Sequence, residues 1–247
     1  MSAPRALVTG AGIRVGRAIS LALAESGFDL VLHYRSSALP AQTLADEIRA
    51  LGRQAAVVQA DLATTAGCQH LIEHTGPIDV LVNNAAMYTA VPFEALTADQ
   101  WDHMQAVNCR TPALLTQGLL PHLRASRCNG GGLVVNIGDI GGERPAPGYA
   151  HYSVSKAGVL MLTRALAVEL APEVRVNSVS PGTVLAPEDL SEEILDGIRK
   201  TIPAGRFGSA EDIARTVVFL ATQAPYITGQ DIAVCGGRSV AGPMLVG

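Results

Sequence analysis

Short apolar runs alternate with amphipathic stretches along the whole chain, and this alternation restricts the fold more than any other property. The runs at 6–9, 30–33, 55–59, 80–83, 133–137, 174–180 and 232–234 are brief and rich in β-branched residues. They are apolar on consecutive positions, as in strands covered on both faces. Between them lie helical patterns at 14–27, 39–52, 65–74, 97–124, 149–171, 191–200 and 210–222, with Gly27 and Gly52 where helix C-caps belong. Strand following helix in turn implies a parallel sheet with helices on both sides. Right-handed crossovers then favour an α/β, Rossmann-type doubly wound sheet of seven strands, with its site at their carboxyl ends.

A chain of 247 residues, 48% hydrophobic, suffices for one large core, and no linker-like stretch divides it, so one domain over 1–247 is expected. Net charge is −4 with both signs scattered, which excludes the basic footprint of a nucleic-acid binder and a polybasic membrane patch. No apolar run reaches the roughly 18–20 residues of a membrane span, and the first residues do not resemble a signal peptide; a cytoplasmic protein is expected. Cys68, Cys109, Cys128 and Cys235 are far apart and form no CxxC, so reduced thiols are expected and no metal site.

The first strand runs into Thr9-Gly10-Ala11-Gly12-Ile13-Arg14-Val15-Gly16, and a helix begins there. Glycines let backbone turn tightly and approach a pyrophosphate facing the helix N-terminus. The simpler alternative is a tight turn with no ligand. A site for NADH usually carries an acid at the end of the second strand, for the ribose 2′-hydroxyl. Here that strand ends His33-Tyr34-Arg35-Ser36-Ser37. Arg35, with Arg14 and the two serines, suits a 2′-phosphate, which favours NADPH. Otherwise Arg35 is a solvated surface residue. His33 is a candidate for contact with ribose or adenine.

Tyr152 and Lys156 stand four apart on a helix and share a face. A phenol near pKa 10 is a poor acid–base at neutral pH, and a neighbouring ammonium and a cationic oxidised nicotinamide would both lower that value. Tyr152 is the expected proton donor, Lys156 its electrostatic partner and a ribose ligand, and Asn108 an anchor for a proton-supplying water. The alternative is an ordinary helix-face pair. His151 points elsewhere on the same helix.

Together these residues resemble the short-chain dehydrogenase/reductase family along essentially the full chain. The matching pieces are Thr9-Gly10…Gly16, Asp61, Asn83-Asn84-Ala85, Asn108, Tyr152-x-x-x-Lys156, Pro181-Gly182 and Gly236-Gly237. The resemblance implies Asp61 and Leu62 near adenine, and Asn84, Ala85 and Ala86 on the cofactor side. It places Pro181, Gly182, Thr183 and Val184 at the nicotinamide, and an acidic lid at 187–193. It also implies a homotetramer built on the 97–124 and 149–171 helices.

Two departures matter: Arg14 replaces the middle glycine of the loop, and Asp139 stands where the family usually has a catalytic serine. Both replacements occur together in pteridine reductases and dihydromonapterin reductases, where an aromatic in the place of Tyr88 stacks on the pterin. A serine suits a carbonyl oxygen. A carboxyl suits ring N–H donors or a C=N nitrogen to be protonated, and burial would help it act as an acid. Arg14 could reach a heterocycle carbonyl or the pyrophosphate. Asp139 could instead cap a backbone turn, and Tyr88 could be a plain pocket wall. The expected reaction is NADPH-dependent C=N reduction of a reduced pteridine, a small-molecule substrate. The alternatives are a carbonyl reductase of the same family (3-oxoacyl thioester, sugar or ketone) and a non-catalytic dinucleotide sensor.

Overall fold

The computed structural model describes residues 3–184 and 191–241. Seven parallel strands are formed: β1 (Arg5–Val8), β2 (Asp29–Tyr34), β3 (Ala55–Gln59), β4 (Val80–Asn83), β5 (Gly132–Ile137), β6 (Val174–Pro181) and β7 (Asp231–Val234). Their order across the sheet is β3-β2-β1-β4-β5-β6-β7. The order reverses between β1 and β4, which opens a crevice at the carboxyl ends of those strands.

The helices are α1 (Arg14–Glu25), α2 (Ala38–Ala50), α3 (Thr65–Thr75), α4 (Ala98–Gln105), α5 (Thr111–Arg124), α6 (Ala150–Glu169), α7 (Glu192–Lys200) and α8 (Ala210–Thr222). Successive strand residues serve opposite faces of the sheet. Ala6 and Val8 join Ile19 of α1, Leu44 of α2 and Val217 of α8 in one apolar layer. Leu7 faces the other way, with Leu71 of α3 and Leu115 and Leu119 of α5. Both layers are buried, which is why the strands read as unbroken apolar runs. Gly27 and Gly52 follow α1 and α2 with φ of +96° and +78°, the left-handed conformation that stops a helix without a Cβ penalty.

One expected helix is two. The 97–124 stretch holds α4, a π-helical turn at Ala106–Arg110, then α5. Thr111 closes the wide turn by bonding back to the Ala106 carbonyl through both its backbone N–H and its hydroxyl. Pro112 explains the break, because it has no N–H for the Asn108 carbonyl four residues earlier. Of the expected 187–193 lid, residues 187–190 lie outside the described residues. Ser191 caps α7, its Oγ accepting from the Ile194 N–H at 3.5 Å.

Candidate active site

The carboxyl ends of the strands surround a cavity of about 1170 Å³. That exceeds the roughly 300–1,000 Å³ of a single-ligand pocket and leaves room for a dinucleotide and a substrate together. The glycine loop forms one end. Gly10 has φ +62°, and a Cβ on Gly16 would lie 2.1 Å from the Gly10 carbonyl oxygen, so α1 can begin this close to the loop only with glycine there. Asn84 ties the loop to β4, its Nδ2 donating to the carbonyls of Thr9 at 2.8 Å and Gly10 at 3.1 Å. The Thr9 hydroxyl accepts from the N–H groups of Asn84 and Ala85, each at 2.9 Å.

Gly10, Arg14, Val15, Gly16, Tyr34, Arg35, Ser36, Ser37, Asp61, Leu62, Asn84, Ala85, Ala86 and Pro181 through Val184 all border the cavity, as expected of cofactor residues. Arg35 and Ser36 are exposed at its edge. These residues fit NADPH: backbone N–H groups at a helix start for pyrophosphate, and cations and hydroxyls at the end of β2 for a 2′-phosphate. Arg14 holds φ +52°, the left-handed region that glycine normally fills.

Two members of the expected cofactor set do something else. Gly12 does not border the cavity. It is buried against the start of α2, where a Cβ would lie 3.1 Å from Ser37 Oγ and 3.2 Å from the Ala41 N. His33 reaches the cavity wall, but both its ring nitrogens are occupied. Nδ1 accepts from the Gly10 N–H at 3.1 Å, which leaves Nε2 to donate to the Ala60 carbonyl at 3.1 Å. His33 therefore holds the loop and has no nitrogen left for the cofactor. Burial lowers its pKa to about 4, so the neutral ring persists.

At the other end stand Asp139, Tyr152 and Lys156, brought together as expected. β5 ends just before Asp139, and α6 carries the other two. Tyr152 Oη donates to Asp139 Oδ2 at 2.8 Å, while Asp139 Oδ1 accepts from the Gly141 N–H at 2.6 Å. The carboxyl thus caps a short 3-10 turn and holds the tyrosine at once. Both its oxygens accept: toward Tyr152 it is an acceptor, and toward Gly141 it makes the turn cap weighed as the alternative to an orienting or protonating carboxyl. Lys156 is buried, with Nζ donating to the Ile137 carbonyl at 2.8 Å and lying 5.8 Å from the centre of the Tyr152 ring.

In the ligand-free site, Lys156 alone does not produce the expected lowering. The Tyr152 pKa is raised well above 10, not lowered: burial dominates, and the charge and hydrogen bond of Asp139 add to it. The Lys156 pKa is lowered to about 8 by burial, against the opposing pull of Asp139. In the absence of ligand, Tyr152 is a phenol with its proton in place.

Asn108 does not border the cavity. Its Oδ1 accepts from the Met87 N–H at 2.7 Å, and its Nδ2 donates to the Met87 carbonyl at 3.0 Å and to Ser155 Oγ at 3.0 Å. Its side chain fastens the loop after β4 to α6 and so positions the groups on either side. His151 is buried, away from the cavity, as expected.

Tyr88 is 64% exposed and stacks on Tyr149, with centroids 4.7 Å apart and planes at 17°; its edge meets Tyr152 at 4.8 Å. The residue pattern gave no hint of Tyr149, although the GYAHY spelling around it places a second ring one helical turn before Tyr152. Arg144, Ser153, Ile198, Thr201 and Arg238 also border the cavity and were not anticipated.

The fold and this constellation define an NAD(P)H-dependent oxidoreductase. A family model described as enoyl-(acyl carrier protein) reductase matches residues 10–239, and the chain belongs to the short-chain dehydrogenase/reductase family. The 3-oxoacyl-[acyl-carrier-protein] reductase FabG of Staphylococcus epidermidis is 37% identical over 240 residues, covering 94% of this chain and 97% of the relative. The 3-oxoacyl-[acyl-carrier-protein] reductase of Synechocystis is 36% identical over 245 residues, 96% and 97% of the two chains. Among solved structures, a blue fluorescent protein from a metagenomic library, in complex with NADPH, superposes with a TM-score of 0.87 at 34% identity, covering 95% and 97%. Acetoin dehydrogenase YohF from Salmonella typhimurium gives 0.88 at 31%, covering 98% of each. The names of these reductases agree with the carbonyl alternative and lend no support to the pteridine branch.

Proposed function

We propose that this single-domain chain is an NADPH-dependent reductase in which Tyr152 supplies the proton, and that its geometry favours a C=N bond in a planar nitrogen heterocycle of the reduced-pteridine class. The observation that carries the substrate class is the hydrogen bond from Tyr152 to Asp139. Hydride addition puts negative charge on a carbonyl oxygen and an imine nitrogen alike, and Tyr152 neutralises either; what the carboxyl adds is an acceptor, which a ketone has no N–H to use. Ring N–H groups meet the same carboxyl as donors. The exposed Tyr88 face, backed by Tyr149, offers a flat ring to stack on.

Reduction of a 3-oxoacyl carbonyl is the second reading. What favours it is the naming of relatives 36–37% identical over nearly the whole chain, and on that ground the comparisons weigh toward the carbonyl.

Under either reading the residues divide the work in the same way. Backbone N–H groups of the glycine loop bind pyrophosphate, and Arg14, Arg35, Ser36 and Ser37 bind the 2′-phosphate. Lys156 holds the nicotinamide ribose, and its charge steadies the phenolate left on Tyr152 after proton transfer. Bound NADPH supplies the hydride. Asn108, through Met87 and Ser155, keeps the loop and α6 in register. We also propose a homotetramer in the cytoplasm. Val154, Met161 and Val168, seven apart on α6, are 50%, 59% and 84% exposed and suit a second copy, and all four cysteines are free.

NADPH oxidation should be followed with 7,8-dihydropterins beside an acetoacetyl thioester and simple diketones, with Tyr152→Phe as the blank. Dihydropterin turnover that vanishes in the blank and in Asp139→Ser supports the heterocycle reading. Turnover confined to carbonyls, and surviving Asp139→Ser, replaces it with the second.

A further inference from the structure

Arg238 and Ala241 border the cavity from the 235–241 segment, which the catalytic pattern leaves unexplained. It turns sharply after β7 through Gly236 at φ +62° and Gly237 at φ +86°. Ser239 and Cys235 close the turn, the Ser239 N–H reaching Cys235 Sγ at 3.4 Å. The Gly236 carbonyl accepts from the Ala204 N–H at 3.0 Å, which ties the turn to the chain just after α7. Arg144 Nη1 donates to the carbonyls of Arg238 at 2.7 Å, Ser239 at 3.2 Å and Ala241. The segment is a strap pinned at both sides.

Arg238 sits at its centre. Its Nη1 donates to Thr183 Oγ1, which leaves its remaining N–H groups to the cavity it borders. It lies close enough to Tyr88 for its charge to act on that phenol. Among the described residues, neither Arg238 nor Arg144 has a carboxylate within ion-pair distance. Arg14 and Arg35 serve the opposite, β1–β2 end of the same cavity. A guanidinium anchored at one nitrogen, with its other N–H groups unpaired among the described residues, is a fork for an oxyanion.

Resting on the reductase reading above, we propose that Arg238 determines specificity by binding an anionic group, a carboxylate or a phosphate monoester, on the part of the substrate that projects from Tyr88 toward α7. Arg144 is the positioning residue that holds the strap, and with it Arg238, in place.

The test uses matched pairs in steady-state NADPH oxidation: a 6-substituted dihydropterin with a carboxylate tail and its neutral amide, and a 3-oxo acid and its methyl ester, with a phosphorylated member to separate the two anions. Wild type should prefer the anionic member through KM. Arg238→Ala should raise KM for that member by about tenfold or more relative to its neutral partner, any change shared by both members reporting the lost bond to Thr183. Arg238→Lys should recover part of the loss. Equal damage to both members would show a merely structural strap and overturn the proposal. So would a wild type indifferent to the anion, or a variant whose main defect is NADPH affinity by fluorescence titration. If no member of any pair is turned over, the reductase reading fails on its own account. Calorimetry of the carboxylate ligands on the NADPH complex, wild type against Arg238→Ala, then decides the anion site directly: heat lost only in the variant supports it, and no heat in either overturns it.

Discussion

His33 shows how one buried ring links acidity to the cofactor loop. Its Nδ1 must stay unprotonated to accept from Gly10. The folded ring titrates near 4 and the unfolded one near 6.5, because burial penalises the charged form. Between those values the unfolded chain takes a proton that the folded chain refuses. The stabilisation is complete above pH 6.5 and is lost as pH falls toward 4, by about 3 kcal/mol over the window. Urea unfolding at pH 7 and pH 4 should show that drop in wild type and a clearly smaller one in His33→Gln. Arg14 is the other residue with a measurable tension, since a left-handed backbone costs a non-glycine side chain about 1 kcal/mol. Arg14→Gly should gain about that much in thermal stability while losing preference for NADPH over NADH. A variant that loses stability and keeps the preference contradicts both halves of the argument.

Helix α1 approaches the loop at β1 only because Gly16 has no side chain. The atom a Cβ would strike is backbone, so no rotamer change relieves the overlap. Gly16→Ala should therefore displace the whole helix start, costing about 2 kcal/mol and abolishing NADPH binding; calorimetric melting with and without NADPH reads both. At this scale the residue pattern was legible where it reflects burial or glycine. Seven strands and their helices follow from apolar periodicity, and Gly10, Gly16, Tyr152 and Lys156 from spacing within one turn or loop. It was less legible where a break keeps the apolar period running. The turn at Ala106–Arg110 interrupts hydrogen bonding but not hydrophobicity, and Pro112 was its only local sign. Arg144 and Arg238 were invisible for another reason: their contact joins residues 94 apart, on loops without periodicity. The ionisation of Tyr152 depends on burial and on which oxygen of Asp139 faces it, and neither can be read from a spacing.

Across the whole molecule, the sheet gathers the cavity-lining groups at the carboxyl ends of its strands and leaves one face of α6 exposed. Val154, Met161 and Val168 form an exposed apolar line there. Light scattering should return the mass of four chains, and Met161→Asp with Val168→Asp should yield smaller species with lower thermal stability. A single-chain mass for wild type removes the tetramer.

The strap adds a matter of timing. Arg144 emerges from the ribosome together with Tyr152 and Lys156, but the carbonyls it grips, at 238, 239 and 241, are made only after every strand of the sheet. The acid, the lysine and the glycine loop are thus all made before the bonds that tie Arg144 to the strap can form. A chain cut off after Gly237 would lack those carbonyls and Arg238 while keeping Asp139, Tyr152 and Lys156.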